Sequence, residues 1–123
     1  MKNNNKPIGI FDSGLGGLTV LKELKERMPR ESFIYFGDTA HLPYGNKSNI
    51  SIIKYSKEIS KYLYSQNIKS LIVACNTASA IAYTKINKLF SIPIFNVIDS
   101  SVQCGLKMTK TKKIGVIGTE ATI

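Results

Sequence analysis

The chain has 123 residues, 43% of them hydrophobic, and a formal charge of +9 from 17 Lys plus Arg against 8 Asp plus Glu; this suits one compact folded domain. No apolar run approaches the roughly 20 residues needed to cross a bilayer, and Met1 to Lys6 leads into a strand-like segment without a signal-peptide core. A membrane role is therefore not expected, and the cytoplasm is the expected compartment.

In chain order, residues 1–6 read as a disordered polar extension, followed by a strand at Ile8 to Phe11 and a Gly-rich turn, Asp12-Ser13-Gly14-Leu15-Gly16-Gly17. Leu18, Leu21, Leu24 and Met28 then mark one helical stripe. A strand at Phe33 to Phe36 opens into a long loop, Gly37 to Ser48, with Ser48 or Asn49 capping a helix whose stripe is Ile52, Ile59 and Leu63. Leu71 to Ala74 reads as a buried strand ending at Cys75. Ala78, Ile81, Ala82, Leu89 and Phe90 form the next helical stripe, and Ile94 to Val97 the next strand. Cys104 falls in a helical stretch with neighbours that suggest packing, Lys107 to Lys113 is a basic run, and Ile114 to Ile117 is a fifth strand candidate. The alternation predicts an α/β fold, a parallel sheet flanked by helices with right-handed crossovers.

Ligands of such sheets bind where the carboxyl ends of the strands meet. Asp12, Ser13, Gly37, Asp38, Cys75 to Thr77, Asp99, Ser100, Gly118 and Thr119 all leave those ends, so the polar groups with chemical potential share one rim. The Gly-rich turn is no dinucleotide fingerprint, because its glycine spacing departs from the pattern and Asp12 would repel a pyrophosphate. It also reads as a plain turn in which Asp12 caps the helix. The single histidine, His41, reads as a surface residue on its loop. No Cys or His cluster has metal-ligand spacing, so no metal is expected.

Two cysteines in unlike settings do not make a disulfide framework. A cysteine closing an apolar strand is commonly an inert core residue. Asn76 and Thr77 alter that reading, since a buried strand end needs neither an amide nor a hydroxyl unless they bind something or cap a helix. At the first turn of a helix, backbone N–H groups and the helix dipole favour a thiolate. The lysines recur on polar helix faces as solvated residues, so no specific nucleic-acid partner is expected, although weak attraction to polyanions follows from net charge.

The set Phe11 to Gly17, Gly37-Asp38-Thr39, Pro43-Tyr44-Gly45, Ala74 to Ala78 and Gly118 to Thr122 closely resembles the glutamate racemase family, over the chain from about Pro7 to its end. The resemblance implies cofactor-independent interconversion of L- and D-glutamate, an isomerase activity that supplies D-glutamate for peptidoglycan and so serves cell-wall biogenesis and cell shape. It implies two thiols on opposite faces of the substrate. Cys75 would be one, with Asp12 assisting its proton handling. Ser13, Asn76 and Thr77 would hold the α-amino and carboxylate groups, and Pro43, Tyr44, Gly45 and Asn46 the side-chain carboxylate. Thr119 and Thr122 match a motif contributed by a second lobe. The fold implied is two-lobed, with residues 7–98 as the first lobe and 99–123 as the start of the second. A homodimer is the implied assembly of the full-length form.

Nothing here matches the family's second cysteine motif, and Cys104 lacks its context. The chain therefore reads as a partial copy, expected not to racemise glutamate alone. A weak echo between Ile8-Gly9-Ile10-Phe11 and Ile114-Gly115-Val116-Ile117 fits a second lobe opening there. Alternatives are an aspartate or related amino-acid racemase, from which the Pro43-Tyr44-Gly45 loop leans away, and a non-catalytic ligand-binding remnant.

Overall fold

The computed structural model describes residues 5–123; residues 1–4, most of the expected extension, lie outside the described residues. Strands β1 (Ile8–Asp12), β2 (Phe33–Gly37), β3 (Ser70–Val73) and β4 (Ile94–Asn96) alternate with helices α1 (Leu18–Arg27), α2 (Asn49–Ser65), α3 (Asn76–Ile86) and α4 (Val97–Met108). All strand pairs are parallel, and the order across the sheet is β2-β1-β3-β4. The chain steps outward from β1 to β2, then back across β1 to β3. Right-handed crossovers therefore place α1 on one face and α2 and α3 on the other, where α2 and α3 pack together.

The period of two along each strand decides which residues meet those helices. Phe11 lies opposite Val73 and Leu71 opposite Ile94, and these four join Ile52, Ile59, Leu63, Ala78, Ala82 and Ile86 in one buried core. Ile8 and Ile10, in the other phase, are buried beneath α1. Leu21, Leu24 and Met28 of the α1 stripe are half-buried, so this face is the looser one. Ser48 begins α2 as expected, its hydroxyl accepting from Ser51 N–H at 3.2 Å. Asn96 ends β4 one residue early because its side chain caps α4, accepting from Asp99 N–H at 2.9 Å while its amide donates to Asp99 Oδ2 at 2.7 Å.

Several expectations differ. Ile114 to Ile117 forms no strand, and Ile117 is 98% exposed. Its sequence suits a strand, but a strand needs a neighbour to take its backbone groups, and no described residue pairs with it. Cys104 lies on α4 as expected but is exposed, its thiol meeting Met108 Sδ at 3.5 Å. The α3 stripe stops at Ile86, leaving Leu89 exposed and Phe90 tilted against Tyr64 at 4.8 Å between ring centroids. Among the described residues, no helix is long and apolar enough to cross a membrane.

Candidate functional site

Strand order reverses direction between β1 and β3, and the crevice at their carboxyl ends is the place where open α/β sheets take ligands. Asp12 closes β1 and Ser13 follows it; Ala74 and Cys75 follow β3. Ala74 N–H donates to the Phe11 carbonyl at 2.8 Å, which draws the two strand exits together. As a result Cys75 Sγ sits 3.3 Å from Ser13 Oγ.

Cys75 is also the N-cap of α3, with Ala78 N–H donating to its sulfur at 3.4 Å. The positive end of the α3 dipole and its open N–H groups therefore face this crevice, a setting suited to an anionic group. Asn76, the first residue of α3, is exposed, whereas Cys75 and Thr77 are buried. Ser79 Oγ donates to the Val73 carbonyl at 3.1 Å, anchoring the first turn of α3 to its strand.

Asp12 is buried, and its Oδ2 accepts from the backbone N–H groups of Gly14 at 3.1 Å and Gly17 at 3.0 Å. Its carboxylate thus shapes the Gly-rich turn but does not cap the helix as expected: the N-cap of α1 is Gly17, with no side-chain cap bond, because the Asp12 oxygen is taken up by the turn that precedes it. The turn is tight: a Cβ on Gly17 would fall 2.7 Å from Asp12 Cβ, and one on Gly37 would strike the Gly14 carbonyl oxygen. Tyr35 completes the arrangement. Its hydroxyl donates to the Gly14 carbonyl at 2.9 Å and approaches Asp12 Oδ2 at 3.5 Å. Burial first, then the Asp12 charge and hydrogen bond, then the nearby Cys75, push Tyr35 up to about 12.

The loop after β2 is organised by Asp38, which is buried. Tyr44 Oη donates to its Oδ2 at 2.6 Å, and His41 Nδ1 lies 2.8 and 3.0 Å from its two oxygens. His41 stacks on Tyr55 with ring centroids 3.9 Å apart. Tyr44 is 1% exposed, so its side chain is a pillar of the loop, and the tyrosine is shifted upward by burial first and then by Asp38. Cys75 contributes to that shift too, which places its sulfur within electrostatic reach of Tyr44 as well as Tyr35. Gly45 and Asn46 follow Tyr44 in a short 3₁₀ turn, after a Leu42–Pro43 peptide that is cis.

The last residues fold back over this loop. Thr119 Oγ1 lies 3.0 Å from Thr77 Oγ1 and 2.9 Å from Thr122 Oγ1. A Cβ on Gly45 would meet Thr119 Cγ2 at 2.9 Å, so the turn and the loop are in contact.

The expected site residues thus fall into connected groups: Asp12, Ser13 and Cys75 at the strand exits, and Gly45, Thr77, Thr119 and Thr122 beside them. Pro43, Asn46 and Asn76 stand apart from both groups in being exposed. Sequence reasoning passed over Tyr35, and placed Asp38 on the rim without a partner or a task. Tyr35 pairs with Ile10 in the sheet, and the same alternation that puts Ile10 and Asp12 on one face assigns Tyr35 there. For Asp38 the signal was an acidic residue opening a Gly- and Pro-bearing loop that holds a histidine and a tyrosine. Among the described residues no group of three or more His, Cys, Asp and Glu is placed to hold a metal.

Comparison with known proteins adds an independent line. Residues 10–122 match the family described as Asp/Glu/Hydantoin racemase. A glutamate racemase of Persephonella marina is 54% identical over 116 residues, covering 94% of this chain and 45% of that protein. The solved glutamate racemase from Aquifex pyrophilus superposes with a TM-score of 0.91 at 49% identity, over 94% of this chain and 46% of its own. That from Francisella tularensis, solved in complex with D-glutamate, gives 0.88 at 44% identity, over 96% and 44%. The chain thus spans less than half the length of these relatives. With a profile match over nearly its whole length, a shared sheet and the cysteine-bearing crevice, this chain belongs to the Asp/Glu/Hydantoin racemase family.

Proposed function

We propose that this chain carries the first half of the site of a glutamate racemase, with Cys75 as one of two proton-transfer groups. Residues 7–98 form the first lobe in this reading, and 99–123 begin the second. The observation that carries it is the position of Cys75 Sγ, which caps α3 at the sheet's switch point and lies 3.3 Å from Ser13 Oγ.

Removing an α-proton from an amino acid at neutral pH requires a positioned base and donors for the charge that develops on the planar intermediate. The Cys75 sulfur, as thiolate, takes the proton. The exposed N–H groups at the start of α3 and the hydroxyls of Ser13 and Thr77 face the α-carboxylate, and Asn76 the α-amino group. Asp12 holds the Gly-rich turn and assists proton handling at Cys75. The 43–46 segment, braced by Asp38, receives the side-chain carboxylate, and Thr119 and Thr122 close over it. No cofactor takes part in this scheme.

A second thiol must return the proton from the opposite face. Cys104 is exposed on α4 and engaged with Met108, so that group belongs to sequence the relatives have beyond the span matched here. The full-length form, a cytoplasmic homodimer in this proposal, supplies D-glutamate for peptidoglycan. The chain in D₂O with L- or D-glutamate tests the half-reaction by α-deuterium exchange. Binding of glutamate over aspartate, with any exchange lost in Cys75→Ala, supports the reading; equal binding of aspartate favours the aspartate alternative. Failure to bind either amino acid, or exchange that survives Cys75→Ala, overturns it.

A further inference from the structure

A cavity of about 310 Å³ lies between the end of β2 and α2, and Cys75 is not part of its lining. Its walls are mostly apolar and rich in aromatic rings. Phe36 and Tyr62 meet edge to face at 5.6 Å, and His41 lies stacked on Tyr55 at 3.9 Å. The helical spacing of Tyr55, Glu58 and Tyr62 brings all three to one stripe of α2. Two carboxylates complete the lining. Asp38 is already engaged by Tyr44 and His41. Glu58 is exposed and takes part in no ion pair among the described residues, although Lys54 and Lys61 lie one turn away on either side.

We propose that this cavity is a second binding site, for a small organic cation: a primary ammonium group on an aromatic or short aliphatic body. The volume is that of a small-molecule pocket. Aromatic faces attract ammonium groups, and an unpaired carboxylate at the mouth gives the charge-assisted hydrogen bond that fixes orientation. The lining itself holds two carboxylates and no lysine or arginine, in a chain whose net charge is +9. The proposal goes beyond the racemase reading and does not use Cys75. Its link to the first site is Asp38, which lines this cavity and also receives the Tyr44 hydroxyl.

The probes are 2-phenylethylamine, its neutral analogue 2-phenylethanol and its anionic analogue phenylacetate, each titrated into the isotope-labelled chain and followed by backbone amide shifts. The amine should move the amides of Phe36, His41 and Glu58 and bind roughly tenfold more tightly than the alcohol, and phenylacetate should leave them unmoved. Glu58→Gln, at an exposed position, should bring the amine down to the level of the alcohol, while Tyr62→Ala should weaken both. Cys75→Ala should change none of this, which separates the outcome from that of the racemase proposal. Equal binding of cation and anion, or amine binding indifferent to Glu58→Gln, would overturn the assignment. So would light scattering that shows a second copy of the chain occupying this face, with the same amides shifting on protein concentration alone.

Discussion

Strand β1 runs between two neighbours with Ile10 and Phe11 wholly buried, whereas Ile114 to Ile117 lies open with Ile117 98% exposed. The two segments have nearly the same pattern of Ile, Gly and large apolar residues. The difference is company. β1 has β2 and β3 to satisfy its backbone and α2 with α3 to cover Phe11, while the later segment pairs with nothing among the described residues. A strand is a property of a sheet, and an apolar run only nominates itself for one. The same contrast separates α3, with five buried residues, from α4, with none.

The sharpest way to break this comparison is to truncate both sides. Phe11→Ala should cost about 3–5 kcal/mol by opening a cavity in the core, measured by urea unfolding. Ile117→Ala should stay within about 0.5 kcal/mol, as exposed substitutions do. A large loss at Ile117 would mean that the open segment packs against something after all.

Next in size is the brace beneath the site. Tyr44→Phe removes the 2.6 Å hydrogen bond to buried Asp38 and should cost about 1.5–3 kcal/mol, the range for bonds to charged groups. Amide exchange in residues 38–46 should rise while the β1 and β3 amides stay protected. Uniform loss of protection would show that the loop and the sheet open as one unit.

The smallest effect concerns pH. Tyr35 is raised from 10.0 to about 12, so the folded state holds this proton more tightly than the unfolded chain does. Its contribution to stability is complete below pH 10.0 and is lost as pH climbs to about 12. Tyr35→Phe should therefore flatten the alkaline fall of stability in that window. An unchanged alkaline limb would place the Tyr35 hydroxyl in water.

Much of this was legible beforehand. Strands separated by amphipathic stripes give a parallel sheet, and the polar residues at their ends give the rim, because both follow from local periodicity and crossover handedness. Asp12, Ser13, Cys75 and Thr77 were found in this way, and the glutamate racemase resemblance assigned them roles. Tyr35 escaped because its importance is a contact between elements, its hydroxyl reaching Gly14 from the neighbouring strand; Asp38 stood on the expected rim, but its hold on His41 and Tyr44 exists only once the loop has come round. The cavity beside α2 escaped for the same reason, since Phe36 and Tyr62 meet only once β2 and α2 are packed. The exposed state of Ile114 to Ile117 was illegible in another sense, since its sequence says strand and only the surroundings refuse it.

The most direct test of the account is ligand protection of Cys75, with the exposed Cys104 as internal control. The intact chain is treated with iodoacetamide with and without D-glutamate, and the modified peptides are quantified by mass spectrometry. The account predicts that D-glutamate slows alkylation of Cys75 and leaves Cys104 unchanged. Alkylation of Cys75 at the same rate with and without the amino acid would contradict it.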